Sequence, residues 1–416
     1  MRDAESFIVE NIEIFCNVLG DHVDETGDAW GEAKDMSDYA TWLKYDIMGD
    51  LVFGKRFGCL TSAENRYVPK LITGSSELLY WVSHLPLQFI VRPILCSPTL
   101  MNWFGGEMAR AEHDFVAYAA DCVKERIRKE NEQDDKKTGR KDMMHYIINA
   151  KDPETDQPFT SQDLDAESSL LIAAGADTSS TVLAAAFFYL TLPSSKPVLD
   201  HLQKQLRTDF SGPATMTWSE IKKNAYLRAV VEETLRLAPA APSELPRTIL
   251  QEPGLEIAGE FVPAGTTVGC SAYVLHHDED AYPDSFSFMP ERWIANTPED
   301  TDVSETHLQA TSSLQNPEQV TKAKEAFCAF SLGSRGCVGK TLAYIELCLT
   351  LAHVLWTFDI RRAQKGKQMS IRPQEDAKER KLEWREDEYQ LKDVFITDRA
   401  GPLIEFRRWC SQPAPL

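Results

Sequence analysis

The chain has 416 residues, 43% of them hydrophobic and 26% charged, a composition that excludes disordered and collagen-like classes and fits an ordinary globular protein with a sizeable core. A formal net charge of −20 argues against nucleic acid as the main partner, because phosphate backbones recruit basic surfaces. Nine cysteines, at 16, 59, 96, 122, 270, 328, 337, 348 and 410, form no CxxC pair and no regular spacing, so a reducing compartment without a disulfide framework is expected.

No Pro/Ser/Gly linker divides the sequence, and a single domain spanning 1–416 is the expected organisation. Phe7, Ile8, Ile12, Phe15, Val18 and Leu19 recur at helical spacing and predict a helix over 5–20, stopped by Gly20. After an acidic loop, residues 39–57 predict a second buried helix, ending in Phe53-Gly-Lys-Arg-Phe-Gly58. Residues 78–95 are apolar and aromatic, but Pro86, Arg92 and Pro93 interrupt them, which excludes a continuous transmembrane helix. An amphipathic helix over 105–131 and a polar connection over 130–141 follow.

Residues 161–192 read as one long helix, entered by a Ser/Thr cap and closed before Pro193. At roughly 30 residues it is about 45 Å long, enough to cross a domain. Its middle reads Ala173-Ala-Gly-Ala-Asp-Thr-Ser-Ser180. Such small residues either make room for a ligand against the backbone or mark close packing of a second helix. The Thr178 hydroxyl can bond a carbonyl one turn earlier and open a local groove there.

Glu233-Thr-Leu-Arg236 places a carboxylate and a guanidinium on one helix face, ordinarily a surface ion pair worth little. Strand-like sequence occupies 259–269. His276-His-Asp278 is not read as a metal site, because adjacent side chains do not converge on one ion. Residues 296–319 are polar and irregular and read as an exposed insertion. Then comes Phe330-Ser-Leu-Gly-Ser-Arg-Gly-Cys-Val-Gly339, a glycine-punctuated loop running into an apolar helix over 340–356. Its glycines let the backbone turn sharply and approach a flat ligand, and the positive end of the following helix favours a thiolate at Cys337. A charged stretch over 361–385 reads as surface strands and loops, and residues 391–406 close the chain.

Phe330, Gly333, Arg335, Cys337 and Gly339 fill the pattern F-x-x-G-x-R-x-C-x-G, which resembles the haem-binding loop of the cytochrome P-450 family. Three further stretches carry the same resemblance in the family's order: Ala-Gly-Ala-Asp-Thr at 174–178, E-x-x-R at 233–236, and Met289-Pro-Glu-Arg-Trp293 in place of P-E-R-F. Asp46-Ile-Met-Gly-Asp-Leu-Val-Phe-Gly54 is similar to the fifth helix of fungal members. The resemblance implies a mainly α fold with small β-sheets around 245–275 and 361–408, N-terminally truncated. The membrane anchor, the proline-rich hinge and the first strands and helices have no counterpart. Only Trp30-Gly-Glu-Ala-Lys34 imitates the family's W-x-x-x-R motif, in a Gly- and Asp-rich setting that argues against the match.

On the same resemblance the cofactor is haem b with Cys337 as axial thiolate ligand. Phe330 packs beside the sulfur, Arg335 and Arg247 of Leu245-Pro-Arg247 pair with propionates, and Gly333 and Gly339 let the chain lie close to the ring. Thr178 and Asp177 organise proton delivery during oxygen activation. Glu233, Arg236 and Arg292 form a buried structural charge cluster. Residues Asp393 to Thr397 face the substrate, and Leu79, Tyr80, Trp81, Leu85, Leu87, Phe89 and Ile90 form a lid that touches membrane or apolar substrate. The implied reaction inserts one atom of O2 into a small apolar organic substrate, a fungal secondary metabolite, with electrons from an NADPH-dependent flavoprotein reductase. The alternative is a truncated haem-binding protein without monooxygenase activity. The family's location is the cytoplasmic face of the endoplasmic reticulum; with no signal peptide and no apolar run long enough to span a bilayer, the chain as written is expected to be soluble in the cytoplasm.

Overall fold

The computed structural model describes residues 2–24, 27, 29–72, 80, 97, 106–133, 141–152, 154–295, 316–363 and 385–410. In chain order, α1 (Arg2–Gly20) leads through a two-residue strand β1 (Lys34–Asp35) into α2 (Met36–Phe53). Helices α3 (Gly106–Gln133), α4 (Met143–Ile148) and α5 (Ser161–Leu190) follow, then α6 (Lys196–Asp209), α7 (Trp218–Ile221) and α8 (Ala225–Leu237). Four short strands come next, β2 (Arg247–Thr248), β3 (Gly254–Ile257), β4 (Glu260–Pro263) and β5 (Thr267–Val268), before α9 (Ala272–His276) and α10 (Pro317–Ala326). The last part holds α11 (Lys340–Thr357), β6 (Phe358–Arg362), β7 (Leu391–Lys392), β8 (Asp398–Arg399) and β9 (Leu403–Arg408). The class is the expected one, mainly α with small antiparallel sheets. Most of the lid stretch 78–95 and most of the polar insertion lie outside the described residues.

Three helices make the core because they are apolar nearly all round, and such a helix is stable only when other elements surround it. From Ser179 to Phe187 every residue of α5 is buried, and α11 is buried without a break from Tyr344 to Leu355. The third, α2, exposes almost nothing beyond its first turns. By length and apolarity α5 matches a membrane span, but 67% of its most apolar window is covered by the rest of the protein. Its start is fixed by a capping box, with Asp163 N–H donating to Thr160 Oγ1 at 3.2 Å and Thr160 N–H donating to Asp163 Oδ2 at 2.8 Å.

The small-residue run on α5 serves two faces. A Cβ at Gly175 would lie 2.5 Å from Met48 Cε, so Gly175 is where α2 crosses closely. One residue away, a little over a quarter-turn round the helix, Ala174 is exposed. The Asp46–Gly54 stretch is a helix-ending device: Asp46 accepts from the backbone N–H groups of Cys59 at 2.9 Å and Leu60 at 3.0 Å, and Asp50 accepts from Asn11 Nδ2 at 3.0 Å and Arg56 Nε at 3.2 Å. Gly54 then stops α2 with a left-handed φ of 65°. Lys44 and Glu346 join α2 to α11 by a fully buried ion pair of 2.9 Å. Strand β9 lies between β1 and β6 in one antiparallel sheet, which brings the segment after α1 against the C-terminal segment.

Candidate active site

Glu233 is fully buried and accepts five hydrogen bonds. Arg236 binds it bidentately, Nε to Oε2 at 2.9 Å and Nη2 to Oε1 at 2.8 Å. Arg292 Nε donates to Oε1 at 2.9 Å, Met289 N–H to Oε1 at 2.9 Å and Trp293 Nε1–H to Oε2 at 2.9 Å. The two guanidinium groups hold the carboxyl below its usual range even though burial pushes the other way and is the larger single influence. Arg236 uses its remaining N–H groups on the carbonyls of His276 at 2.7 Å, Ser285 at 2.6 Å and Ser287 at 3.2 Å. The cluster therefore clamps α8, α9 and the loop through 285–293 into one block.

His276 carries that block to the cysteine loop. Its Nδ1 donates to the Arg236 carbonyl at 3.0 Å, which leaves Nε2 to accept from the Cys328 N–H at 3.0 Å. Burial pushes its pKa down to about 4, so the ring is neutral and this tautomer is fixed. Its plane stacks on Phe327 with centroids 5.3 Å apart. The His276-His pair is thus structural, and nothing in its local sequence shows that one ring bridges positions 236 and 328.

From Cys328 the chain turns through Ser331 N–H to Cys328 O at 2.8 Å, Gly336 N–H to Gly333 O at 3.0 Å and Cys337 N–H to Phe330 O at 2.8 Å. Gly333 sits at a φ of +69°, a conformation that side chains disfavour. Gly339 is the N-cap of α11, and a Cβ built on it would lie 3.7 Å from Cys337 Sγ, so the sulfur stands beside the N-terminus of an 18-residue helix. Phe330 packs on Tyr344 with ring centroids 5.2 Å apart.

The residues present fit a flat dianionic macrocycle held through sulfur. Cys337 is exposed, and the apolar side chains of Leu332 and Val338 on either side of it are 69% and 101% exposed. Arg335 has no ion-pair or hydrogen-bond partner among the described residues, and Arg247, exposed on β2, bonds only the carbonyls of Leu245 at 3.2 Å and Pro246 at 2.9 Å. Two guanidinium groups uncommitted to any protein carboxylate suit two propionates.

On α5, Leu170, Ala174 and Thr178 share one face that the protein does not fully cover, while Ile172, Ala176 and Asp177 among them in sequence are buried. The Thr178 hydroxyl donates to the Ala174 carbonyl at 2.7 Å, as its spacing predicts. Asp177, the residue before Thr178, is buried beside this face, and burial raises its pKa while the nearby Arg399 opposes the rise. Arg399, on β8, is the residue that local sequence did not announce. It bonds Ser180 Oγ, Thr41 Oγ1 at 2.9 Å and the Thr397 carbonyl at 3.2 Å, and so seats the β7–β8 hairpin over α5 beside Asp177. In the hairpin, Phe395 is exposed and Thr397 is buried against Thr181 at 3.4 Å.

The family model described as Cytochrome P450 matches residues 1–392. The chain belongs to the cytochrome P450 family. Among curated relatives, this P450 is 32% identical over 413 residues to the cytochrome P450 monooxygenase fscF of Fusarium equiseti, covering 98% of this chain and 71% of that one. It is 34% identical over 404 residues to a cytochrome P450 monooxygenase of Gibberella zeae, covering 96% and 84%. Among solved structures, the cytochrome P450DA heme domain superposes with a TM-score of 0.71 at 18% identity, covering 99% of this chain and 74% of that one, which shows the fold. The P450 is a haem-thiolate monooxygenase: with haem bound and electrons from a redox partner, it places one oxygen atom of O2 into an organic substrate. The alternative of a haem-binding protein without this activity is not favoured.

Proposed function

We propose that Cys337 is the axial thiolate ligand of haem b, and that the enzyme oxidises a small apolar molecule of fungal secondary metabolism. Electrons come from an NADPH-dependent flavoprotein reductase at the cytoplasmic face of the endoplasmic reticulum, and one domain carries the whole activity. The observation that supports the ligand assignment is an exposed cysteine at the N-terminus of α11, in a loop pinned at Cys328 by the His276 bridge to the buried charge cluster. Fixed backbone on both sides of the sulfur holds it in place.

Bound haem supplies an iron centre at which O2 is activated, and a thiolate ligand favours O–O cleavage. Arg335 and Arg247 pair with the propionates. Phe330 would pack beside the sulfur, and Gly333 and Gly339, having no side chains, would let the chain come close to the group. The Thr178 hydroxyl spends its proton on the Ala174 carbonyl, so its oxygen is oriented to accept a hydrogen bond from an incoming water. Asp177, whose raised pKa lets it hold a proton and whose neighbour Arg399 favours its release, passes protons toward Thr178. The apolar side chains of Leu170 and Phe395 face the substrate.

The test is the spectrum of the haem-loaded protein after reduction under carbon monoxide. A strongly red-shifted Soret band that Cys337→Ser abolishes while haem stays bound supports the ligand assignment. The same band in Cys337→Ser refutes it.

A further inference from the structure

A second cavity lies away from the cysteine loop, where the end of α5 meets α6, β6 and β9. Its volume is about 720 Å³, it is half open to solvent, and no residue of the Phe330–Gly339 loop lines it. Leu190 in its wall is 12 residues along α5 from Thr178, about 18 Å at the helical rise. In a chain of net charge −20, six cationic side chains and two carboxylates line this cleft.

The cations are not all neutralised. Asp359 is shared between Arg207 Nη1 at 2.9 Å and Arg407 Nη2 at 2.8 Å. Arg361 pairs with the buried Glu405 at 2.7 Å. Among the described residues Arg362 has no carboxylate partner: its Nη2 donates to the Phe188 carbonyl at 2.9 Å, and its buried Nε has no partner. Arg207 Nη2 likewise lacks a partner there. Burial lowers the pKa of both groups, against the pull of Asp359 at Arg207 and with no carboxylate to oppose it at Arg362 among the described residues.

Flat aromatic surface frames these charges. Arg361 and Arg407 lie over Trp30 at 4.2 and 4.8 Å from the ring centroid, and Arg207 lies over Trp409 at 4.7 Å. The stacking fixes these guanidinium planes, whose edges bind Glu405 and Asp359, so the positive charge left without a carboxylate among the described residues is that of Arg362 and Lys204, which is suited to phosphate oxygens. The volume is in the range of small-molecule sites, too large for a lone inorganic ion.

We propose that this cleft binds a small phosphorylated molecule bearing a flat ring, of the nucleotide class, with its phosphate on Arg362 and Lys204 and its ring against Trp30. The site is separate from the oxygenase centre and stands whether or not the assignments there hold.

The experiment is calorimetric titration of the haem-loaded full chain with adenosine 5′-monophosphate, inorganic pyrophosphate, adenosine and citrate, alongside tryptophan fluorescence. Adenosine 5′-monophosphate and pyrophosphate are expected to bind with Kd below about 1 mM, and adenosine and citrate at least about tenfold more weakly. Arg362→Gln is expected to weaken both phosphates by about tenfold or more with the carbon monoxide spectrum unchanged, and Trp30→Phe to weaken only the nucleotide. If Arg362→Gln does not fold, Lys204→Glu on the exposed rim must produce the loss. Failure of both phosphates to bind, binding unaffected by these charge changes, or citrate binding as tightly as pyrophosphate overturns the proposal. So does binding only to vesicles containing phosphatidic acid, which would make the ligand a membrane surface.

Discussion

Replacing Glu233 by Gln keeps the side chain's shape and removes its charge, which isolates what the carboxylate does. Five donors converge on it, two of the partners being guanidinium groups that are 0% and 2% exposed. With the carboxylate gone, both positive charges stay buried with no anion, and the new amide N–H₂ points at a donor. Removing one partner of a buried pair costs roughly 3–5 kcal/mol. Against a typical stability of about 5–15 kcal/mol, that is a large part of the whole. Because Arg236 also holds the His276 carbonyl and His276 holds Cys328, the loss reaches the cysteine loop. Urea denaturation of haem-loaded protein, followed by the Soret band and by far-ultraviolet circular dichroism, measures both effects. The expected result is a midpoint shift worth about 3 kcal/mol or more and a lower haem content after purification. A Glu233→Gln protein within about 1 kcal/mol of the parent and fully loaded with haem would refute the reasoning, since a surface pair is worth that little. The pH dependence has the matching sign. The folded-state pKa of Glu233 is depressed, so its stabilisation is fully present above the usual glutamate pKa and is lost as pH falls through the lower folded value.

Thr178→Ala is expected to raise peroxide released per NADPH consumed and lower product per NADPH severalfold, measured with the reductase and a turned-over substrate; unchanged coupling would count against Thr178. Arg399→Gln removes the positive charge that opposes the raised pKa of Asp177, so that pKa rises further and the acidic limb of the pH profile of product formed per electron moves to higher pH, with Arg399→Lys restoring it. An unmoved limb would separate Arg399 from proton delivery. Lys44→Met leaves Glu346 buried without its cation and is expected to cost about 3 kcal/mol, whereas Lys44→Met with Glu346→Leu returns to parental stability or above, because an apolar pair needs no desolvation of charge. Equal losses in the single and double variants would contradict this.

Individual helices were legible in the sequence because periodicity survives into structure: those expected over 5–20, 105–131 and 161–192 are α1, α3 and α5 to within a few residues. The cysteine loop was legible because turn geometry and a flat ligand demand glycines at fixed places. Less legible was the small-residue run at 173–176, where Gly175 packs on Met48 and Ala174 lies open, since one local pattern suits both purposes. His276 and Arg399 were not legible as site supports. Their partners lie 40 to 52 and 219 to 358 residues away in sequence, and no local spacing encodes such contacts.

By itself the sequence carried the class of protein and the expectation of a ligand at Cys337, a proton path at Asp177 and Thr178, and a cluster of Glu233, Arg236 and Arg292, each through a short motif that resembles the family's. Tertiary structure alone decided that the cluster's carboxylate accepts five hydrogen bonds, that it grips the cysteine loop through one neutral imidazole, and that Asp177 shares its surroundings with Arg399. It alone gathered cations from 196 to 407 into one cleft on an acidic chain. The physical reason is that burial and electrostatic partnership are properties of space: a charge acquires its meaning from what folding places within a few ångströms of it.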